Sequence, residues 1–246
     1  MSQLLVSVQN AKEAKRALMA GAGLIDAKSP ANGPLGRCDE ATWRAIQAVV
    51  QNQVPLSAAL GEWTDWCQID ETEIRGRLAP LAGFTYAKIG PSGSADRISL
   101  WSETLTRLQR LAPETLKWIA VIYADNQAAN SLSRGQLLDF AIQNGCHGLL
   151  IDTFDKSKPN IWRSDWNSFI RKVQKSHLKI ALAGGLNAQR ISQLQDLDPE
   201  WFAVRGSACK THKRTSRISF RNVHRLVRNL EKFNLNPGNG SKKAPI

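Results

Sequence analysis

The 246-residue sequence predicts an α/β fold of the (β/α)8 TIM-barrel type, and three observations carry that expectation. Short apolar runs alternate eight times with amphipathic stretches, as βα units do and sandwiches do not. The repeat starts at the first residues and continues evenly to about residue 233, close to the roughly 250 residues usual for this fold. No Gly-x-Gly-x-x-Gly follows the first run, where a doubly wound open sheet, the competing architecture, would carry its dinucleotide crevice.

Each element follows from its own segment. The first strand is expected at Leu4–Val8 (LLVSV), with a helix over Ala11–Ala20. The second strand, Leu24–Lys28 (LIDAK), leads to a helix over Glu40–Gln51, and the third, Leu56–Leu60 (LSAAL), to the weakest helical pattern in the chain, near Gln68–Leu81. Phe84–Ile89 (FTYAKI) and Trp118–Tyr123 (WIAVIY) precede helices over Asp96–Leu111 and Ser133–Asn144. Gly148–Asp152 (GLLID), Lys179–Ala183 (KIALA) and Trp201–Arg205 (WFAVR) precede helices over Asp165–Ser176, Ala188–Leu194 and Ser219–Phe233. All eight strand runs are five or six residues long and mostly apolar, as strands covered on both faces should be. Residues 1–233 therefore read as one domain, and Asn234–Ile246 (NLNPGNGSKKAPI), without periodic apolar positions, as a disordered tail.

With 42% hydrophobic and 22% charged residues, the chain can bury a large core. No run of eighteen apolar residues and no secretory signal pattern is seen, so a cytoplasmic protein with no membrane contact is expected. The net charge of +12 invites a nucleic-acid reading, but its distribution weakens it. From Lys210 onward ten Lys or Arg face the single Glu231, whereas residues 1–209 carry 23 basic and 20 acidic side chains. Cys38, Cys67, Cys146 and Cys209 form no CxxC pair, and the four histidines form no HExxH or close pair, so no metal site and no cofactor are expected.

In a barrel, catalytic groups come from the carboxyl ends of strands and the loops after them. Those positions hold Asp26 and Lys28 on the second strand, Lys88 on the fourth, and Asp152 with Lys156 on and after the sixth. A charged pair inside an apolar strand is costly unless partnered, which makes it informative. Burial beside another cation depresses a lysine pKa and supplies the neutral amine that attacks a carbonyl to form a Schiff base, while adjacent carboxylates shuttle protons. Any one of these lysines could instead reach out to solvent. Three on alternating strands with two aspartates point to catalysis.

The seventh and eighth loops are the usual phosphate site of the fold. Gly184-Gly185 and Arg205-Gly206-Ser207 suit it, favouring a small phosphorylated substrate. The eight tryptophans read as packing. Arg221, Arg225, Arg228 and Lys232 form one cationic helix stripe, a solvated face first, with RNA, an acidic partner or a neighbouring copy in a homo-oligomer as the alternatives.

Five segments together resemble a known family: LLVSV, IDAKSPANGPLG (25–36), YAKIG (86–90), LLIDTFDK (149–156), and ALAGG with VRGSAC (181–185 and 204–209). They are similar to the (5-formylfuran-3-yl)methyl phosphate synthases, also called 4-(hydroxymethyl)-2-furancarboxaldehyde-phosphate synthases, over about residues 3–230. The resemblance implies a lyase that condenses two molecules of glyceraldehyde 3-phosphate into a furan aldehyde phosphate, losing phosphate and water, for methanofuran-type cofactor synthesis in one-carbon metabolism. It implies Lys28 as the Schiff-base lysine and Lys88 as proton acceptor, with Asp26, Asp152 and Lys156 in support, and neither metal nor organic cofactor. One departure stands out. After VRGSAC the family commonly continues Gly-Gly-Asp-Arg, whereas this chain has Lys210-Thr211-His212-Lys213-Arg214; Arg214 and Arg217 keep the basic positions, but the glycines and the acid are gone, so a difference in phosphate binding or loop closure is expected. Another Schiff-base aldolase acting on a phosphorylated aldehyde, or a binding protein using the basic helix, are the competing functions.

Overall fold

The computed structural model describes residues 1–157, 162 and 165–235. Its elements run β1 (Gln3–Val8), α1 (Ala11–Met19), β2 (Leu24–Ala27), α2 (Glu40–Val50), β3 (Leu56–Glu62), α3 (Glu71–Leu78), β4 (Tyr86–Gly90) and α4 (Ile98–Leu111). They continue β5 (Lys117–Tyr123), α5 (Arg134–Gln143), β6 (Gly148–Asp152), α6 (Asp165–Lys175), β7 (Lys179–Leu182), α7 (Ala188–Leu194), β8 (Trp201–Val204) and α8 (Phe220–Leu235). The strands are parallel and close in chain order into a barrel, with β1 pairing β8 from Gln3↔Trp201 to Val6↔Val204. That closure is the (β/α)8 barrel and excludes the open sheet.

Side-chain alternation along each strand divides the apolar residues into two cores. Leu4, Val6, Val8, Ile25 and Ala27 face outward and pack with the helices. Leu5, Leu24, Tyr86, Ile119, Leu150 and Trp201 belong to a second cluster that fills the barrel. The same alternation continues toward the carboxyl ends, where the inward positions become polar: Leu5 is followed by Ser7, Leu24 by Asp26 and Lys28, Tyr86 by Lys88, and Leu150 by Asp152. An apolar plug at one end and a ring of charge at the other are thus written in a period of two.

Strand boundaries lie within two residues of the expected ones. The third helix differs most. It starts at Glu71, where the Asp70 side chain accepts from the Glu73 N–H, and Pro80 turns its end into a 3-10 segment over Ala79–Leu81. The C-terminal helix also runs further than expected. Asn234 and Leu235 complete α8, and Asn234 Nδ2 donates to the Ser2 carbonyl at 3.1 Å. The rest of the expected tail, 236–246, lies outside the described residues. Trp43, Trp63, Trp66 and Trp101 are fully buried, consistent with packing. Among the described residues no helix is long and apolar enough to cross a membrane.

Candidate active site

A cavity of about 440 Å³ opens at the carboxyl ends of the strands, and all five residues expected to act together line it. Asp26, Lys28, Lys88 and Asp152 are buried, and Lys156 is partly exposed at the rim. The two carboxylates serve different lysines. Asp26 accepts from Lys88 Nζ and, at 2.8 Å, from Ser7 Oγ, while Lys88 also donates to Ser57 Oγ at 2.7 Å. Asp152 accepts from Lys156 Nζ at 2.6 Å and from the Thr153 N–H at 2.8 Å. Lys28 Nζ stands 3.7 Å from the second Asp152 oxygen, an ion-pair separation too long for a hydrogen bond. Lys88 and Lys156 are fastened; Lys28 is the lysine left with a nitrogen free of hydrogen bonds among the described residues.

The electrostatics agree with that division of labour. Burial pushes the Lys28 ammonium down from its ordinary value to about 8, helped by Lys156 and Lys88 and resisted by Asp152 and Asp26. Burial works against the charge on Asp152, but Lys156, Lys28 and the Thr153 N–H outweigh it and hold the carboxyl at about 2. Asp26 is likewise held below its ordinary value: burial opposes its charge, and Lys88, Lys28 and Ser7 overcome it. The site therefore contains two ionised carboxylates and one amine brought within reach of deprotonation just above neutral pH.

The glycine-rich loops border the same cavity. Gly184 and Gly185 both adopt positive φ, 82° and 71°, which glycine takes without strain. Gly206 and Ser207 lie in the 3-10 segment Gly206–Ala208 after β8, and Ser207 Oγ is buried without a hydrogen-bond partner. Arg205 is different from expectation. Its five N–H donors are all engaged: Nε with the Arg214 carbonyl, one terminal nitrogen with Ser7 O and Glu13, the other with Glu13 and Ser216 O. A guanidinium has five donors and no more, so Arg205 has none left for a phosphate and instead fixes the loop.

Two contributions escaped the sequence reading. Ser7 and Ser57 hold the Asp26–Lys88 pair, and their signal was a hydroxyl at an inward strand position. Asp125 accepts from the Phe154 and Asp155 N–H groups at 2.7 and 2.8 Å, clamping the segment that carries Lys156. Arg214, expected only as a retained basic position after VRGSAC, lines the cavity from the loop before α8. Among the described residues no cluster of His, Cys, Asp and Glu is arranged to hold a metal ion.

A family model described as 4-HFC-P synthase matches residues 4–227. A (5-formylfuran-3-yl)methyl phosphate synthase of Methanosarcina mazei is 28% identical over 221 residues, covering 87% of this chain and 93% of that protein. A Methylorubrum extorquens protein to which the same activity is provisionally ascribed is 32% identical, covering 92% of this chain and 90% of its own. Among solved structures, phosphoribosyl anthranilate isomerase from Thermus thermophilus superposes with a TM-score of 0.65 at 14% identity, covering 94% of this chain and 99% of its own. KGPDC from Streptococcus mutans gives 0.64 at 13%, covering 94% and 98%. At such identities these two share the fold.

Proposed function

The chain belongs to the 4-HFC-P synthase family, and from that membership we propose that it condenses two molecules of glyceraldehyde 3-phosphate into (5-formylfuran-3-yl)methyl phosphate through a Schiff base on Lys28, as a lyase of methanofuran-type cofactor synthesis. The observation that carries the mechanism is the Lys28 amine, buried in the cavity wall, brought to about 8 and free of hydrogen bonds among the described residues while its two neighbours are fastened to aspartates.

The product dictates the steps. Its formyl and phosphomethyl groups stand at the 5- and 3-positions of the ring. The new carbon–carbon bond therefore joins the middle carbon of the triose that keeps its phosphate to the terminal carbon of the one that loses it. Taking the C2 proton from glyceraldehyde 3-phosphate gives an enediolate with two outcomes. Reprotonation yields the ketone isomer; expulsion of phosphate yields the enol of a three-carbon ketoaldehyde. Lys28 captures the ketone as an imine, releasing water, and the protonated imine carbon accepts the enol's terminal carbon. Loss of a neighbouring proton then expels the lysine, the free hydroxyl closes on the remaining ketone, and a second water leaves to complete the furan. One phosphate and two waters are released in all. Lys88, paired with Asp26, and Lys156, paired with Asp152, are placed to move these protons. Gly184, Gly185, Gly206 and the orphan Ser207 hydroxyl, all lining the cavity, would donate to the phosphate that is retained.

Borohydride reduction in the presence of glyceraldehyde 3-phosphate, followed by peptide mass mapping, is expected to label Lys28. A label elsewhere, or none, overturns the assignment. A Schiff-base aldolase on another phosphorylated aldehyde would also label Lys28 but would release neither inorganic phosphate nor a furan.

The pH dependence follows from the same amine. Imine formation needs neutral Lys28, so kcat/KM is expected to rise with pH through about 8. Asp152 favours the protonated form, and Asp152→Asn should therefore move that rise to lower pH. A pH–rate profile of the variant with its limb unmoved or raised would refute the pairing.

A further inference from the structure

Two triose phosphates bring two phosphate groups into one cavity, and the glycine-lined loops after β7 and β8 account for one of them. The charge inventory around the cavity shows where the other can go. Lys88 is paired with Asp26, Lys156 with Asp152, and Arg205 with Glu13. Lys28 is reserved for covalent chemistry. Among the described residues, Arg214 is the remaining Lys or Arg lining the cavity; Asp152, already held by Lys156, attracts it from a distance, but no carboxylate is in contact with it. Its one side-chain hydrogen bond among the described residues runs from a terminal nitrogen to the Gly33 carbonyl at 3.3 Å, in the loop that follows Lys28, leaving four N–H donors without a partner there.

The position of this guanidinium is built. Ser216 N–H donates to the Lys213 carbonyl at 2.9 Å, Lys210 N–H to the Arg217 carbonyl at 3.0 Å, and Cys209 bridges Ile218, so the 209–218 segment is a short hairpin. Beneath it, Arg205 Nε holds the Arg214 carbonyl itself at 2.7 Å and a terminal nitrogen holds Ser216 O at 3.0 Å. Glu13 takes the Ile218 N–H at 3.2 Å. The arginine expected to bind phosphate thus holds the backbone of the one free to do so.

Resting on the two-triose reading above, we propose that Arg214 forms a second phosphate subsite, separate from the glycine-lined one, which binds the triose whose phosphate is expelled, with Arg205 and Glu13 as positioning residues acting through it. Backbone N–H groups and a serine hydroxyl suit a phosphate that stays put. A departing phosphate accumulates negative charge as its C–O bond breaks, and a planar guanidinium with free donors meets that charge in bidentate fashion. Arg214 lines the cavity while remaining partly exposed, which gives the released anion an exit.

The test compares Arg214→Ala and Arg214→Lys with the parent chain. In Arg214→Ala, borohydride trapping of Lys28 by dihydroxyacetone phosphate is expected to persist, because that ketone uses the other subsite. The KM for glyceraldehyde 3-phosphate should rise, and kcat/KM for phosphate release fall, by about a hundredfold, the loss of one charge-assisted bidentate contact. Lysine should restore part of this. Glu13→Gln should raise KM with little change in Lys28 trapping. Parallel loss of dihydroxyacetone phosphate trapping in Arg214→Ala would mean one shared site and overturn the proposal, as would unchanged turnover. Absence of trapping in the parent chain would instead refute the Schiff base. Calorimetric titration with inorganic phosphate decides the subsite independently of the chemistry: two equivalents for the parent and one for Arg214→Ala support it, and equal stoichiometry removes it.

Discussion

Lys28→Ala is expected to abolish imine trapping and to lower formation of the furan phosphate by at least about a thousandfold, the scale on which removing a covalent nucleophile acts. Lys28→Arg should do the same. It preserves the positive charge beside Asp152 but not the amine, so the pair of variants separates nucleophile from counter-ion. Product analysis by mass spectrometry with glyceraldehyde 3-phosphate is the measurement, and furan formation by Lys28→Arg within tenfold of the parent would sink the role. Stability should move the opposite way. The folded state holds Lys28 at about 8 against an ordinary 10.5, so below pH 8 it carries a protonated amine that it disfavours by on the order of 3 kcal/mol. That penalty fades as pH rises from 8 toward 10.5. At neutral pH, Lys28→Ala should therefore unfold at no lower urea concentration than the parent despite being inactive. A merely structural lysine would show the reverse.

Glu13→Ala is expected to cost about 3–5 kcal/mol in urea unfolding, the usual effect of removing one member of a buried ion pair. Glu13 and Arg205 are 2% and 8% exposed and 2.5 Å apart at their closest. Deleting the carboxylate leaves a guanidinium with two donors unpaired inside the protein and frees the Ile218 N–H as well. Replacing both partners, Glu13→Ala with Arg205→Met, should recover much of the loss, because no charge then remains buried. A cost below about 1 kcal/mol for Glu13→Ala would show that water reaches Arg205 and that the pair does not hold the loop.

Most of the barrel could be read from the sequence because strands of a parallel sheet covered on both faces are short unbroken apolar runs, and WIAVIY or GLLID are hard to place otherwise. Helix α3 was harder to bound: its ETEIRGRL segment buries only Ile74 and Leu78, too narrow a stripe to set a period. Asp26, Lys28, Lys88, Asp152 and Lys156 could be picked out because a charge at an inward strand position is expensive and therefore conspicuous. The sequence does not say which lysine each aspartate holds. That depends on strand register, which sets Asp26 beside Ser7 and Ser57 and brings Lys88 to it. Arg205 shows the same limit. A strand-end arginine before a Gly-Ser looks like a phosphate ligand until Glu13, 192 residues earlier, is found against it.

The barrel's first and last strands meet at a seam, β1 against β8, that the chain itself does not bridge. Ser7 O and Arg205 are in contact across 198 residues of sequence, which makes this one of the costliest loops in the molecule to close. The Glu13–Arg205 pair fastens α1, β1 and the loop after β8 at that point, so parting of the seam and withdrawal of Arg214 from the cavity become a single cooperative opening. In native-state hydrogen exchange, the amide of Ile218 should then be released together with the β1–β8 ladder, as one unit with one free energy of opening. The ring, in other words, is latched where the substrate's charge is read.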